Sequence, residues 1–220
     1  MRKLIVLAAT AALGLAVPAG AAEGIKWHTS LEEAVKASEE SGKLVMLTLH
    51  TEWCGFCTKL EQETWPAEAV IAKSADFECA SVDPEKTEVS DSYDDGSYPR
   101  TLFIRSDGEV VSVIPGFLPP EDFVAEMSQA TENAGKLAEA EELAKGLAKP
   151  EDDLPHAFKI GALYAAIGRT KDALLWLTPA YEGREALPEA DRGEVALAYG
   201  LRLAADLQHE KCLSVLQPFI

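Results

Sequence analysis

Trp53-Cys54-Gly55-Phe56-Cys57 holds two thiols separated by two residues, able to close into a small disulfide ring or open to attack another disulfide. The run before it, Lys43-Leu44-Val45-Met46-Leu47-Thr48-Leu49, is short, apolar and bounded by polar residues, as a buried strand should be. After Cys57 the pattern turns helical, with Leu60, Thr64 and Trp65 at three- and four-residue spacing. The pair is therefore expected where a strand hands over to a helix. Cys54 would stand at the helix N-terminus, where unpaired backbone N–H groups and the dipole favour a thiolate, the reactive species. The bland rivals are a structural disulfide or half of a metal site.

Around this centre the chain alternates helix and strand from about Gly24 to Asn133. Leu31, Val35 and neighbouring alanines mark a first helix that Gly42 ends. The Lys43–His50 strand and a long helix after Cys57 follow. Phe77-Glu78-Cys79-Ala80-Ser81-Val82 reads as a second strand and Thr101-Leu102-Phe103-Ile104 as a third, which Asp107-Gly108 turns into Val110–Ile114. A last helix begins near Pro119-Pro120-Glu121-Asp122 and turns Phe123, Val124 and Met127 inward. Such alternation predicts a central mixed sheet with helices on its faces.

From about Gly135 to Ile220 no strand signal remains, and alanine- and leucine-rich segments are broken at Pro150, Pro155 and Pro188. This part echoes itself. At the 39-residue offset that brings Gly161 onto Gly200, Ala166 meets Ala205, Leu174 meets Leu213, Leu177 meets Leu216 and Pro179 meets Pro218. The run Gly161…Tyr164…Gly168…Ala173…Leu177…Ala180 resembles a tetratricopeptide repeat, although Leu203, Leu207 and Cys212 depart from it in the second copy. The period also exceeds the ~34 residues of that family, with the excess assigned to the loop 182–191. The expected second module is thus all-α, a helical repeat over 135–220.

Met1-Arg2-Lys3, the apolar run from Leu4 to Val17 and the small residues Pro18-Ala19-Gly20-Ala21-Ala22 form a secretory signal pattern, too short for the ~20 residues of a spanning helix. A signal peptide over 1–22, cleaved after Ala21 or Ala22, places the mature protein in the periplasm of a bacterial envelope, where disulfides persist. Loss of Arg2 and Lys3 takes the formal charge from −17 to −19. So acidic a chain repels nucleic acid and anionic lipid, which removes both from its expected partners.

The first module resembles the thioredoxin superfamily on Glu52-Trp53-Cys54-Gly55-Phe56-Cys57 after the strand, Tyr98-Pro99 before Thr101–Ile104, and Gly116 after the next strand. The resemblance implies a cis Pro99 lying against the cysteine pair, so that the Tyr98 backbone pairs with an extended substrate segment beside Cys54. It implies Cys54 as nucleophile, Cys57 as the resolving thiol, and a substrate groove bordered by Trp53, Tyr98 and Pro99. The Cys54–Cys57 disulfide is then itself the redox group and no dissociable cofactor is implied. Two departures stand out. Phe56 replaces the proline of thioredoxin, and Gly-Phe is similar to the Gly-Tyr pair of periplasmic disulfide isomerases. Thr48 occupies the place, six residues before the first cysteine, where many thioredoxins keep a buried acid.

His50 shares the strand face of Thr48 by period two and is a candidate for part of the lost proton handling and pKa tuning, against the plainer reading of a polar residue at a strand end. The acidic run Asp91-Ser92-Tyr93-Asp94-Asp95 precedes Pro99; overhanging the site, it would disfavour acidic substrates, but the favoured reading is a solvated loop. His50, Cys54 and Cys57 offer three metal ligands where a structural zinc wants four, so no metal is expected. Cys79 and Cys212 read as small buried hydrophobes rather than a bridge.

The expected activity is thiol–disulfide exchange with protein thiols or disulfides in the cell envelope, with a redox partner that recharges the pair. A protein partner is expected on the helical module, whose plainer role is packing against the first domain. The rival from another class is an adaptor or chaperone-like binder, its cysteine pair a structural clasp or a metal ligand.

Overall fold

The computed structural model describes residues 24–219. The expected signal segment lies outside them. The elements follow the alternation of the sequence: β1 (Trp27–His28), α1 (Leu31–Ser41), β2 (Leu44–Leu49), α2 (Gly55–Lys59), α3 (Glu68–Ser74), β3 (Phe77–Val82), β4 (Arg100–Ile104), β5 (Val110–Pro115) and α4 (Pro120–Ala144). Then come α5 (Leu154–Ala166), α6 (Thr170–Glu182), α7 (Glu189–Ala205) and α8 (His209–Leu216).

The five strands form one mixed sheet in the order β1-β3-β2-β4-β5. β1 and β2 run parallel to β3; β4 is antiparallel to both β2 and β5. The expected α/β unit followed by an all-α region is borne out. Alternation along β2 divides the core into two layers. Val45, Leu47 and Leu49 join Ala34, Ala80, Val82, Leu102 and Ile104 beneath α1. Met46 points the other way, to Leu60, Val70, Phe103, Phe123 and Met127 beneath α3 and α4. Burying an aliphatic or aromatic side chain of this size stabilises by roughly 1.5–3 kcal/mol. These two layers hold the end of β2 fixed.

Local chemistry sets the boundaries. Ser30 caps α1 by accepting from the Glu33 amide at 3.2 Å. Gly42 stops it in the left-handed region at φ 71°, with its N–H on the Ser38 carbonyl. The single long helix expected after Cys57 is instead α2, a π-helical turn over Leu60–Thr64, and α3. Pro66 has no N–H to continue the ladder and Ala67 turns extended, so the chain restarts at Glu68. β1 had no sequence signal, because two residues show no period; its register, Trp27 with Cys79 and His28 with Ala80, is fixed by β3.

α4 runs unbroken through the junction expected at 133–135. Its inner face is continuous, with Phe123, Met127, Ala130, Asn133, Leu137 and Ala140 all buried. Ala130 belongs to the core under the sheet and Ala140 to the core of the helical region, so one helix serves both. Arg105 adds a tie to α4, donating to Glu141 at 2.7 Å, and Arg169 pairs with Glu109 of the β4–β5 hairpin.

The 39-residue echo is structural. Gly161 and Gly200 each face a leucine 16 positions on: a Cβ at either would lie 2.7 Å from the Cγ of Leu177 or Leu216. Helices α5 and α7 thereby approach α6 and α8 closely. The turns match as well, with Gly168 at φ 77° and Leu207 at φ 61°. After them the amides of Arg169 and Gln208 donate to the carbonyls of Tyr164 and Leu203.

Candidate active site

β2 delivers the cysteine loop. Where the strand ends, the His50 N–H still bonds the Val82 carbonyl at 3.1 Å, and the Cys54 N–H closes a turn onto Thr51 O at 3.2 Å. Cys54 then caps α2: its sulfur accepts from the Cys57 N–H at 3.1 Å, and its carbonyl accepts from the amides of Cys57 and Thr58. Cys54 and Cys57 are joined as a disulfide, 6% and 3% exposed. Opened, the arrangement aims a helix N-terminal amide at the Cys54 sulfur, which favours its anion.

Aromatic surface stands on both sides. Trp53 and Phe56, the residues flanking Cys54 and Cys57, are 67% and 63% exposed. The Trp53 ring meets Tyr98 edge-on and its N–H donates to Glu85 Oε1 at 3.0 Å. The Tyr98 hydroxyl donates to Asp94 Oδ2 at 2.8 Å. Burial first, then the Asp94 carboxylate, pushes the Tyr98 phenol up to about 12. Tyr98–Pro99 is cis, and buried Pro99 leads into β4, its carbonyl accepting from Gly116 N–H. On the Phe56 flank, Lys59 lies 4.3 Å over the ring of Phe117, and Thr64 donates to Leu118 O at 2.6 Å.

Thr48 is fully buried and shares a 3.0 Å hydroxyl hydrogen bond with Thr101, its register partner on β4. His50 lies just past the strand, half-buried, with Nδ1 3.0 Å from Ser81 Oγ. Cys79 and Cys212 are free, buried and in different cores, so they form no bridge. Burial pushes the Cys79 thiol up to about 12. Among the described residues no group of three or more His, Cys, Asp or Glu is placed to hold a metal ion.

Sequence reading missed the 83–87 turn. Glu85 holds Trp53, and Lys86 pairs with Glu52 and lies 3.4 Å from Asp83 Oδ2. The only sequence signal was the density of acids between β3 and Pro99. A cavity of about 700 Å³ lies at the opposite strand ends, lined by Lys26, Trp27, His28, Lys43, Phe77 and Glu78. None of these lining residues belongs to the cysteine loop.

Residues 31–131 match the thioredoxin-like domain family and form a thioredoxin-like domain carrying a two-residue-spaced cysteine pair. A protein disulfide-isomerase of Hordeum vulgare is 30% identical over 105 residues, 48% of this chain and 20% of that protein. A thiol:disulfide interchange protein DsbD of Ralstonia nicotianae is 28% identical over 116 residues, 48% of this chain and 18% of that protein. The chain therefore spans about a fifth of the length of these curated relatives. A solved thioredoxin from Thermus thermophilus has 24% identity and a TM-score of 0.48, over 53% of this chain and 94% of that one.

Proposed function

We propose that the protein is a thiol–disulfide oxidoreductase of the cell envelope, working on protein substrates through Cys54 and Cys57. The observation that carries this reading is the Cys57 amide 3.1 Å from the Cys54 sulfur, at a helix start flanked by exposed aromatic rings. The names of the relatives, which are disulfide-exchange proteins, support it.

The exchange runs in two displacements. Cys54 thiolate attacks a substrate disulfide, forming a mixed disulfide and releasing one substrate thiolate. Cys57, as thiolate, attacks the Cys54 sulfur, expels the second substrate thiolate and closes the Cys54–Cys57 bond. Two electrons pass to the substrate, and a partner dithiol must return them. The reverse sequence oxidises a substrate dithiol. Trp53, Tyr98 and Pro99 border the surface where the substrate segment lies, and His50 is the titratable side chain nearest the end of β2 in sequence.

The amino-terminal signal pattern supports an envelope location, in the periplasm. The paired helices α5/α6 and α7/α8 support a tetratricopeptide-like module that recruits a protein partner. Insulin reduction tests the activity. Wild type should precipitate the insulin B chain and Cys54→Ser should not; equal, negligible activity in both would reject the enzyme. Cys57→Ala should accumulate mixed disulfides in cells.

A further inference from the structure

We infer that the site selects protein segments carrying positive charge beside an apolar residue near the reacting cysteine; this rests on the exchange reading and adds the substrate class to it. The apolar requirement comes from Trp53 and Phe56. Cys54 and Cys57 are almost covered, whereas their chain neighbours Trp53 and Phe56 are 67% and 63% exposed, so a segment that reaches the sulfur meets apolar surface beside it.

The charge requirement comes from what holds the Trp53 flank in place. The Trp53 N–H is held by the Glu85 carboxylate, and Tyr98, against which its ring rests, is held by Asp94. Glu52 precedes Trp53 in the chain, and Asp83, only 8% exposed, accepts the Glu85 N–H at 3.0 Å. Against these four carboxylates stands one ammonium, Lys86, which Glu52 and Asp83 share. The next cation along, Arg100, is taken by Asp95 and the Tyr93 carbonyl. The Phe56 flank differs: Lys59 covers Phe117 and stands 3.8 Å from Glu63. On the Trp53 side the carboxylates therefore outnumber the cations that pair with them. There an aromatic face lowers the local dielectric and itself attracts cations. A lysine or arginine of the substrate would neutralise this flank, while an acidic segment would be repelled.

The test uses fully reduced protein and three oxidants: bis(2-hydroxyethyl) disulfide, and two peptides identical except for Lys-Lys or Glu-Glu beside a cysteine held in mixed disulfide with 2-mercaptoethanol. Each turnover converts the protein dithiol to its disulfide and frees the peptide thiol and mercaptoethanol. Peptide rates are divided by the rate of the same variant on the neutral disulfide. The Lys peptide should outpace the Glu peptide about 10-fold at low ionic strength, the ratio falling toward unity in about 1 M salt. Glu52→Gln/Glu85→Gln should compress that ratio, and Glu189→Gln/Glu194→Gln on α7 should leave it. Equal peptide rates at low salt, or equal compression by the α7 pair, would overturn the inference alone. No reaction even with the neutral disulfide would overturn the exchange reading and the inference together.

Discussion

The indole of Trp53 stands edge-on to the ring of Tyr98, centroids 6.0 Å apart and planes at 73°. The contact joins two segments 45 residues apart in sequence, the loop that ends β2 and the loop that enters β4. Trp53 stays 67% exposed in this contact and immediately precedes Cys54. Trp53→Ala removes exposed surface, so its stability should stay within about 0.5 kcal/mol of wild type. Its insulin-reduction efficiency should drop about 10-fold, as loss of an aromatic anchor at a contact surface costs. Thermal unfolding and insulin turbidity measure both; full activity in the variant would remove Trp53 from the substrate surface.

Thr48 and Thr101 satisfy each other inside the sheet at 3.0 Å. Thr48→Val leaves a buried hydroxyl on Thr101 without this partner and should cost about 1–3 kcal/mol. Thr48→Val/Thr101→Val replaces both and should recover most of that loss. A double-mutant cycle in urea measures the coupling, and additive effects would show that the pair is not a unit.

Cys79 offers a check by pH. Its thiol, pushed up to about 12 by burial, is neutral in the folded protein far above the ordinary range near 9. A raised pKa means that the neutral form is the one folding favours, so the stability this contributes is complete below about 9 and disappears as pH rises through about 12. Iodoacetamide at pH 8 should therefore label Cys54 in the reduced native protein and spare Cys79 until denaturant is added. Peptide mapping reads the sites; labelling of native Cys79 at the rate of Cys54 would contradict its burial.

The two interhelical glycines should respond unequally. A Cβ on Gly161 meets fully buried Leu177, whose backbone N is also only 3.1 Å away, whereas Gly200 meets Leu216, which is partly exposed and can give way. Gly161→Ala should lose about 1–3 kcal/mol to overpacking, more than the ~1 kcal/mol gained in helix propensity. Gly200→Ala should be the milder change. Denaturant midpoints decide the order, and a stabilised Gly161→Ala would refute the close packing of α5 on α6.

Leu207 holds φ 61° while 78% exposed, in the turn where the first repeat has Gly168. A left-handed leucine costs roughly 1–2 kcal/mol, and glycine's extra unfolded-state entropy returns part of that. Leu207→Gly should therefore be neutral to about 1 kcal/mol more stable by thermal unfolding, and a clear loss would mean that the leucine side chain packs.

Much of this fold was legible because its signals are local. The period-two pattern of Val45, Leu47 and Leu49, the Gly42 stop and the Asp107-Gly108 turn each act within a few residues. The break of the helix after Cys57 was also local, since Pro66 stood in plain view, but the apolar spacing through Trp65 outweighed it. β1 was invisible because its partner strand, not its own composition, makes it a strand. The position near Gly135 falls inside α4, because the buried face of that helix continues past it to Ala140. The acidic stretch before Pro99 is the solvated loop its composition predicts, with Asp91, Ser92 and Asp95 exposed, and the Tyr98 hydroxyl ties its Asp94 to the ring that meets Trp53.

By itself the sequence determined the strand-to-helix setting of Cys54 and Cys57 and the 39-residue doubling of the helical region, since both are written in neighbouring or regularly spaced residues. Only the tertiary structure decided what surrounds the sulfurs. Glu85, Lys86 and Tyr98 reach the cysteine loop from the segments that follow β3 and precede β4, with Asp94 holding Tyr98, and contacts formed across a sheet depend on strand order and register, which no short segment of chain encodes.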